Sequence, residues 1–529
     1  MKLFNLEIDH RKIYFIGLIL VAICLPISKF ALNVAMITLA INWLLEGRFH
    51  EKYQKLKSNP GILIICGVFL IHLLWLLNTS NFQYAFHDLK NKLIIIVFPL
   101  IIGTSEILNK NQFKQILIWF SLAVVVSTLI SAAVLFGILD YPVNDIRDIS
   151  MFMSHIRLSL LINVGILSLA YFLFSAAYEK SKIEVIIYGI FILWLIVFLF
   201  LLKSFSGIII FFILFFLLSG YYSFKIQGLI PRLFLQVLLI TGFLFIASYT
   251  THAIARFYSI EKVDFENMDT YTVSGNLYHH SKKRGPIENG HYVGLYVCQK
   301  ELENEWKKIS EIPYDGYDKK GQKIKSTLIR YLTSKGYRKD SVGISKLNLQ
   351  DIENIENGIA NYIYSNKFAL YPHIYRILWE FDVYKKGFNP AGNSITQRLE
   401  FLKTATDIIK NNFWFGTGTG DVKAAFDHQY EINESQLPQS KRLRAHNQYV
   451  TFFLAFGFLG FVFIWVCILY PPLKSRGFKD YFFVMFFMIA MISMLNEDTL
   501  ETQIGVTFFS YFYALFLFGK DLKLQDDYE

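Results

Sequence analysis

Polar and apolar positions along this chain are segregated into blocks. Windows such as "GILIICGVFLIHLLWLL" (61–77), "IEVIIYGIFILWLIVFLFLL" (183–202) and "LFLQVLLITGFLFIASY" (233–249) carry almost no charge. Each approaches the ~20 residues an α-helix needs to cross hydrocarbon. Read this way, the pattern predicts about twelve spans, centred in 12–28, 30–46, 61–78, 90–105, 114–137, 156–177, 184–203, 206–223, 232–250, 447–470, 480–496 and 502–519. The expected fold class is therefore an all-α polytopic membrane protein. Pro99 interrupts the fourth segment, which membrane helices tolerate where neighbours satisfy the freed carbonyl.

Between 251 and 446 the pattern changes. "HYVGLYVCQKELENEW" (291–306) opens with strand-like alternation and turns helical, and "GNLYHHSKKRGPIENG" (275–290) reads as a loop. "DIENIENGIANYIYSNKF" (351–368) and "SITQRLEFLKTATDIIKNNF" (394–413) have helical spacing. In the second, Ser394 is the expected N-cap, and Leu399, Leu402, Ala405, Ile408 and Ile409 form an apolar stripe. The expected organisation is a bundle over 1–250, a mostly helical loop domain over 251–446, and last spans with a short tail over 447–529. No internal repeat is visible.

Composition agrees with the blocks: of 529 residues, 54% are hydrophobic and 18% charged, below the ~25% usual for soluble domains. The net charge of +10 is spread along the chain, so short basic loops account for it and nucleic acid is not an expected partner. With the N-terminus cytoplasmic, "EGRFHEKYQKLK" (46–57) and "KSRGFK" (474–479) face inward, which places the 251–446 domain outside. "MKLFNLEIDHRK" is followed by an apolar run with no small-residue cleavage site, so the first span is expected to stay as an anchor. The cysteines Cys24, Cys66, Cys298 and Cys467 offer neither a disulfide framework nor a CxxC metal site.

Chemistry concentrates where polar blocks meet apolar ones. "KRLRAHNQYVTFFLAFGFLG" (441–460) holds His446 and Asn447 at the start of the tenth span. Arg398 lies one turn into the 394–413 helix, and "FGTGTGDVKAAF" (415–426) supplies a glycine-rich turn between them. That turn is either a helix–helix connection or, through Gly416 and Gly418, a backbone nest for an anion. His155 and Arg157 open the sixth span in "MSHIRLSLLINVGIL" (153–167), and Glu497, Asp498 and Glu501 follow the eleventh. Taken singly, each has a plain reading as a solvated arginine, a capping histidine or rim charges that pair with one another. Together, ionisable groups held at a membrane boundary point to function.

These stretches resemble the O-antigen ligase family of polytopic bacterial glycosyltransferases, which also contains O-antigen polymerases and protein O-oligosaccharyltransferases. The likeness rests on the order of an arginine helix, a G-x-G turn, and His-Asn leading into a span with a "GFLG" tail. It implies a multi-pass inner-membrane enzyme with its large loop periplasmic, moving a glycan from undecaprenyl diphosphate to an acceptor hydroxyl such as lipid A–core, without metal, nucleotide or other cofactor. Arg398 matches the arginine that engages the donor diphosphate, and His446 the essential histidine. The family's "SRxG"-like arginine is replaced here by Phe205 in "LLKSFSGIII" (201–210), which leaves Lys203 or Arg157 to supply that charge. Lys203 lacks the planar fork that suits phosphate. A single inverting displacement follows: cations stabilise the leaving diphosphate and His446 deprotonates the acceptor, oriented by Asn447. The competing class is a transporter, against which stand the absence of matching halves and of an evident charge deep in a span.

Overall fold

Every apolar block read from the sequence is helical. In the computed structural model the described residues are 9–143, 146–175, 178–281, 286–366, 370–385, 387, 390 and 394–521. They form two compact units: Met1–Lys225 with Arg398–Glu529, and Ile226–Gln397.

Length separates the apolar helices. Among the described residues, seven are long and apolar enough to cross a bilayer alone: Gly61–Asn78, Lys110–Leu135, His155–Phe174, Lys182–Leu201, Phe205–Ser223, Leu229–Tyr258 and Gln448–Lys474. Lys29–Leu45 and Phe49–Ser58 make an eighth only if counted as one span, since they meet at 105°. The bend arises because Gly47 and Arg48 both take left-handed backbone, at φ 65° and 46°. His10–Cys24, Ile94–Thr104, Tyr481–Met494 and Gln503–Leu517 are helices of 15, 11, 14 and 15 residues. At 1.5 Å per residue these are shorter than ~30 Å of hydrocarbon, so length alone does not carry the expected twelve. The chain is an all-α polytopic membrane protein, with only two-residue strands besides.

The first unit is built around Gln503–Leu517, in which every residue from Ile504 to Leu517 is buried. A helix apolar on all sides belongs at the centre of a bundle. Its few polar groups are matched to neighbours: Tyr511 Oη donates to the Leu18 carbonyl at 2.9 Å, Tyr513 Oη to Ile468 at 2.8 Å, and Ser510 Oγ to Ile94 at 2.9 Å. Each bond ties the central helix to a different span, and no buried hydroxyl of the three is left unpaired. Phe486 packs around it on Phe508, Phe512 and Phe516.

The two ends of this bundle differ chemically. At one end lysines cap helix carbonyls: Lys55 Nζ donates to the carbonyls of Thr104 and Ser105, and Lys180 Nζ to those of Leu173 and Ser175. At the other end lie the N-termini of His155–Phe174 and Gln448–Lys474 and the 495–502 link, where the acidic and histidine residues collect.

The second unit opens with Leu229–Tyr258, whose last turns pack on Tyr371–Lys385 through Phe257–Tyr375 and Arg256 over the Tyr371 ring. Its small helical core gathers Trp306, Leu328, Tyr331, Leu332 and Ile355. The alternation expected at 291 is a short antiparallel pair, Ile287–Glu288 with His291–Tyr292, followed by helix Gln299–Ile309. The 351–368 stretch is helical only at its ends, in Leu349–Glu356 and Tyr362–Ser365, since Gly358 turns left-handed between them. Part of 275–290 and of 351–368 lies outside the described residues. Trp306 is fully buried and donates to the Ile312 carbonyl. Trp306→Ala should therefore lower the local opening free energy of Gln299–Ile309 by about 3–5 kcal/mol, read as faster amide hydrogen exchange there in the full chain.

Candidate functional site

The helix expected over 394–413 is Ser394–Asn411. The side chain of Ser394, the expected cap, lies outside the described residues. The buried face differs from the expected stripe. Phe401, Thr404, Ala405 and Ile408 are buried, whereas Leu399, Leu402 and Ile409 are only half-buried. Rotation of the face brings Arg398 and Phe401, three apart and so on one side of the helix, toward the same neighbours. Arg398 reaches the link between the last two helices: Nη1 lies 3.5 Å from Asn496 Oδ1 and Nη2 3.9 Å from Glu497 Oε1. Phe401 packs against the His446 ring, centroids 6.0 Å apart.

His446 sits on the same link from the other side. Asn447 caps Gln448–Lys474, its Oδ1 accepting from Val450 N, and its Nδ2 donates to the Leu495 carbonyl at 3.0 Å. One helical turn on, Thr451 Oγ1 donates to Asp498 Oδ1 at 2.7 Å. His446 itself holds left-handed backbone at φ 49°, a conformation that costs a non-glycine residue energy and that surrounding contacts must enforce. Burial pushes its imidazole below the ordinary histidine value. Asp498 opposes that shift, and the nearby Arg398, Arg444 and Arg157 add to it. Burial also raises the Glu497 and Asp498 carboxyls, against the pull of the same arginines.

Arg157, in the first turn of His155–Phe174, completes the cluster. Its charge acts on Glu497 and on His446, and its Nη1 donates to Ser154 Oγ at 3.1 Å. Among the described residues its buried Nε has no hydrogen-bond partner. Such a donor is costly unless something accepts from it. His155 is the first residue of that helix and half-buried.

Lys203 is placed differently. It is exposed, at φ 50°, in the turn between Lys182–Leu201 and Phe205–Ser223, and among the described residues it pairs with none of these groups. That turn is fastened by its serines: Ser204 Oγ donates to Ser159 Oγ at 2.9 Å. Phe205, in place of the family's arginine, is 66% exposed.

Gly416 and Gly418 do not form an anion nest, because their amides are already committed. The Gln448–Lys474 helix breaks at Gly457 (φ 62°, ψ −170°), which frees the carbonyls of Leu454 and Ala455 and the amides of Phe458 and Leu459. The 413–418 turn takes up all four. Thr417 N donates to Leu454 O at 2.8 Å and Gly418 N to Ala455 O at 2.9 Å. Phe458 N donates to Phe413 O at 2.7 Å and Leu459 N to Trp414 O at 3.3 Å. Gly416 N donates to Asn412 O. A Cβ on Gly416 would meet Ala455 C and Gly457 N at 2.5 Å, and one on Gly457 would meet Trp414 C at 2.4 Å. The "GTG" and "GFLG" signatures are thus two halves of one backbone crossing.

Beneath the cluster lies a buried charge network that the sequence reading did not find. Lys92, fully buried, donates to Glu501 Oε1 at 2.9 Å, Asp88 Oδ1 at 3.1 Å and the Leu500 carbonyl at 2.6 Å. Glu501 also accepts from Gln448 Nε2 at 3.0 Å and faces Arg444 Nη1 at 3.5 Å. Burial works against the Glu501 charge, yet Lys92, Arg444 and Gln448 outweigh it and hold the carboxyl well below its ordinary value. Burial instead takes Asp88 up to about 6 against the pull of Lys92. Lys92 ends helix Phe82–Lys92, just before the apolar helix Ile94–Thr104, and the buried His72 lies in the last turns of the third block, 3.9 Å from Asp88, so both reach the network from the ends of apolar segments and not from their middles. The i,i+4 pair in "HDLKNK" (87–92) was the available signal. A cavity of about 10 Å³, room for about one water, touches His72, Asp88, Arg444, Thr451 and Glu501.

Residues 348–465 match the family model described as O-antigen ligase. That segment contains Arg398, the glycine crossing, Arg444, His446 and Asn447. It excludes Lys203, and it excludes Arg157 and the 495–502 link, which this chain's own packing brings to the matched segment. No curated protein matches the chain. The resemblance read from the residues thus has independent support, and it is that of a glycosyltransferase-like membrane enzyme.

Two substitutions test this geometry. Glu501→Gln leaves Lys92 buried beside a neutral amide and should cost about 3–5 kcal/mol, seen as a lower Tm of the solubilised protein, with Lys92→Met in the same chain restoring much of it. Gly418→Ala places a Cβ 2.0 Å from the Asn78 carbonyl at φ 101° and should be more damaging than Gly137→Ala, whose Cβ at φ 70° would meet nothing within 4 Å, with loss of folded yield as its readout.

Proposed function

We propose that this chain transfers a glycan from undecaprenyl diphosphate to an acceptor hydroxyl at the membrane face on which His446 lies, most readily as O-antigen ligation to lipid A–core. One observation carries the reading: Arg398, Arg157 and Arg444 surround an imidazole at the end of an apolar bundle. A polyprenyl diphosphate has this division of chemistry, a greasy tail with an anionic head at the boundary. The periplasm is the corresponding compartment, with the 251–446 domain on that side and the bacterial inner membrane as the location.

The reaction is a single displacement. The acceptor oxygen forms its bond to the anomeric carbon as that carbon's bond to the diphosphate oxygen breaks, with inversion. Negative charge grows on the leaving diphosphate, so cations held close stabilise the transition state more than the ground state. Arg398 is suited to this, and the unpartnered Nε of Arg157 is a second donor for a phosphate oxygen. Arg157 takes over the charge that Phe205 lacks, because Lys203 has no link to the cluster. His446 accepts the acceptor's proton: with its basicity lowered it is neutral, and so a competent base, through the neutral pH range. Asp498 then faces the imidazolium that forms. Asn447 is committed to its helix cap and to Leu495, which makes it a positioning residue for His446. Glu501 anchors Arg444 from below.

His446→Ala should reduce transfer by about 10²–10⁴-fold, and Arg398→Ala by a similar factor, with membrane insertion intact. Arg398→Lys should recover only part, since an ammonium cannot fork onto phosphate. Transfer from a purified lipid-linked donor to lipid A–core in detergent is the assay. Wild-type rates in either alanine variant overturn the assignment, and single repeats accumulating in place of lipid-linked polymer in a deletion strain would indicate a polymerase. The acid limb of kcat/KM should fall below pH 6.5, because the neutral imidazole persists to lower pH than in a free histidine.

A further inference from the structure

The crossing at Gly457 leaves three consecutive aromatic residues, Phe413, Trp414 and Phe415, 42%, 57% and 61% exposed. They are not a loose loop. Their carbonyls accept from Phe458 N, Leu459 N and Trp75 Nε1, at 2.7, 3.3 and 2.5 Å, so the backbone beneath the rings is fixed by two spans. The Phe413 ring stacks on Phe458 at 5.7 Å and 9°, and Trp414 packs edge-on to the same ring at 5.8 Å.

Their level along the bundle follows from the same bonds. Trp75 and Asn78, which hold the carbonyls of Phe415 and Gly416, occupy the final turn of the span Gly61–Asn78. Gly457 lies nine residues into Gln448–Lys474, or about 14 Å along it. The first measure puts the three rings near the polar boundary of one leaflet, and the second keeps them within that leaflet, half of the ~30 Å hydrocarbon being ~15 Å. On the two spans that hold the turn, apolar side chains are also exposed, Leu77 at 94% and Leu459 at 47%. Non-helical backbone is tolerated at that depth only when its polar groups are satisfied, and here the four groups freed by the break are.

We propose that Phe413–Trp414–Phe415 is a membrane wedge whose partner is the acyl-chain and headgroup boundary of the leaflet on the His446 side. Aromatic rings favour that boundary, apolar on one side and wet on the other. The wedge hangs from the break in the helix that Asn447 caps, so lipid contact fixes the depth of the segment bearing His446. The inference does not depend on glycosyl transfer.

Nitroxide spin labels at Trp414→Cys and Phe415→Cys test it, in a background with the four native cysteines replaced by serine and in vesicles of phosphatidylethanolamine and phosphatidylglycerol. Collisions with dissolved oxygen should exceed those with a water-soluble nickel chelate several-fold at both sites. Lys423→Cys, on the exposed face of helix Val422–Ile432, should show the reverse. Two sites keep the test decisive if one variant fails to assemble, as judged by size-exclusion behaviour. Nickel-dominated relaxation at the wedge, matching that at 423, would place the rings in water and overturn the proposal.

Discussion

One buried carboxylate holds the His446 end of the bundle together. Glu501 stands on the short link before the central helix and receives Lys92 from the first part of the chain and Gln448 from the last, with Arg444 opposite. Three segments far apart in sequence are thereby fixed to one point. Without that charge the buried ammonium would keep only Asp88 and the Leu500 carbonyl, and Arg444 would lose its close carboxylate, so removing one partner weakens several contacts at once. His446 is two residues from Arg444 and Asn447 one from Gln448. The position of the imidazole, including its left-handed backbone, depends on this anchor.

Around it the charges are sorted by environment. Glu501 is kept ionised by three donors, while Glu497 and Asp498 are raised by burial and stand where arginines converge. Carboxyls whose proton affinities are driven apart within a few residues imply divided roles: one is structural and the others answer to whatever binds. Three arginines face the three carboxyls of this link, but loosely. Arg398 is 3.5 Å or more from both groups it faces, and among the described residues the Arg157 Nε has no hydrogen-bond partner, so donors are left for an anion to occupy.

Much of this was legible in the sequence, and the exceptions share a cause. Periodicity and hydrophobic runs located every apolar helix, because burial in lipid or core is a property of a segment by itself. Arg398 and His446 were found from residue type at a boundary, and they do meet on the 495–498 link. What sequence reading missed was relational. The Lys92–Glu501 pair joins residues 409 apart, and no local pattern announces it. The glycines of the 416–418 turn looked like an anion cradle because uncovered amides invite a ligand. Their real acceptors are the Asn412 carbonyl, for Gly416, and for Gly418 the Ala455 carbonyl that only the break at Gly457 sets free. Helix count fell short of spans for a similar reason: Tyr481–Met494 and Gln503–Leu517 are short because neighbours, not lipid, surround them.

The burial of Gln503–Leu517 has a bearing on assembly. The helices that its hydroxyls tie together, His10–Cys24, Ile94–Thr104 and Gln448–Lys474, all precede it in the chain, so they must wait in the bilayer with their inward faces covered by lipid or by one another. Consolidation is then a single late event, the arrival of one segment whose tyrosines reach for carbonyls already in place. Glu501 travels at its head, and so the charge that holds Lys92, Gln448 and Arg444 arrives with the keystone.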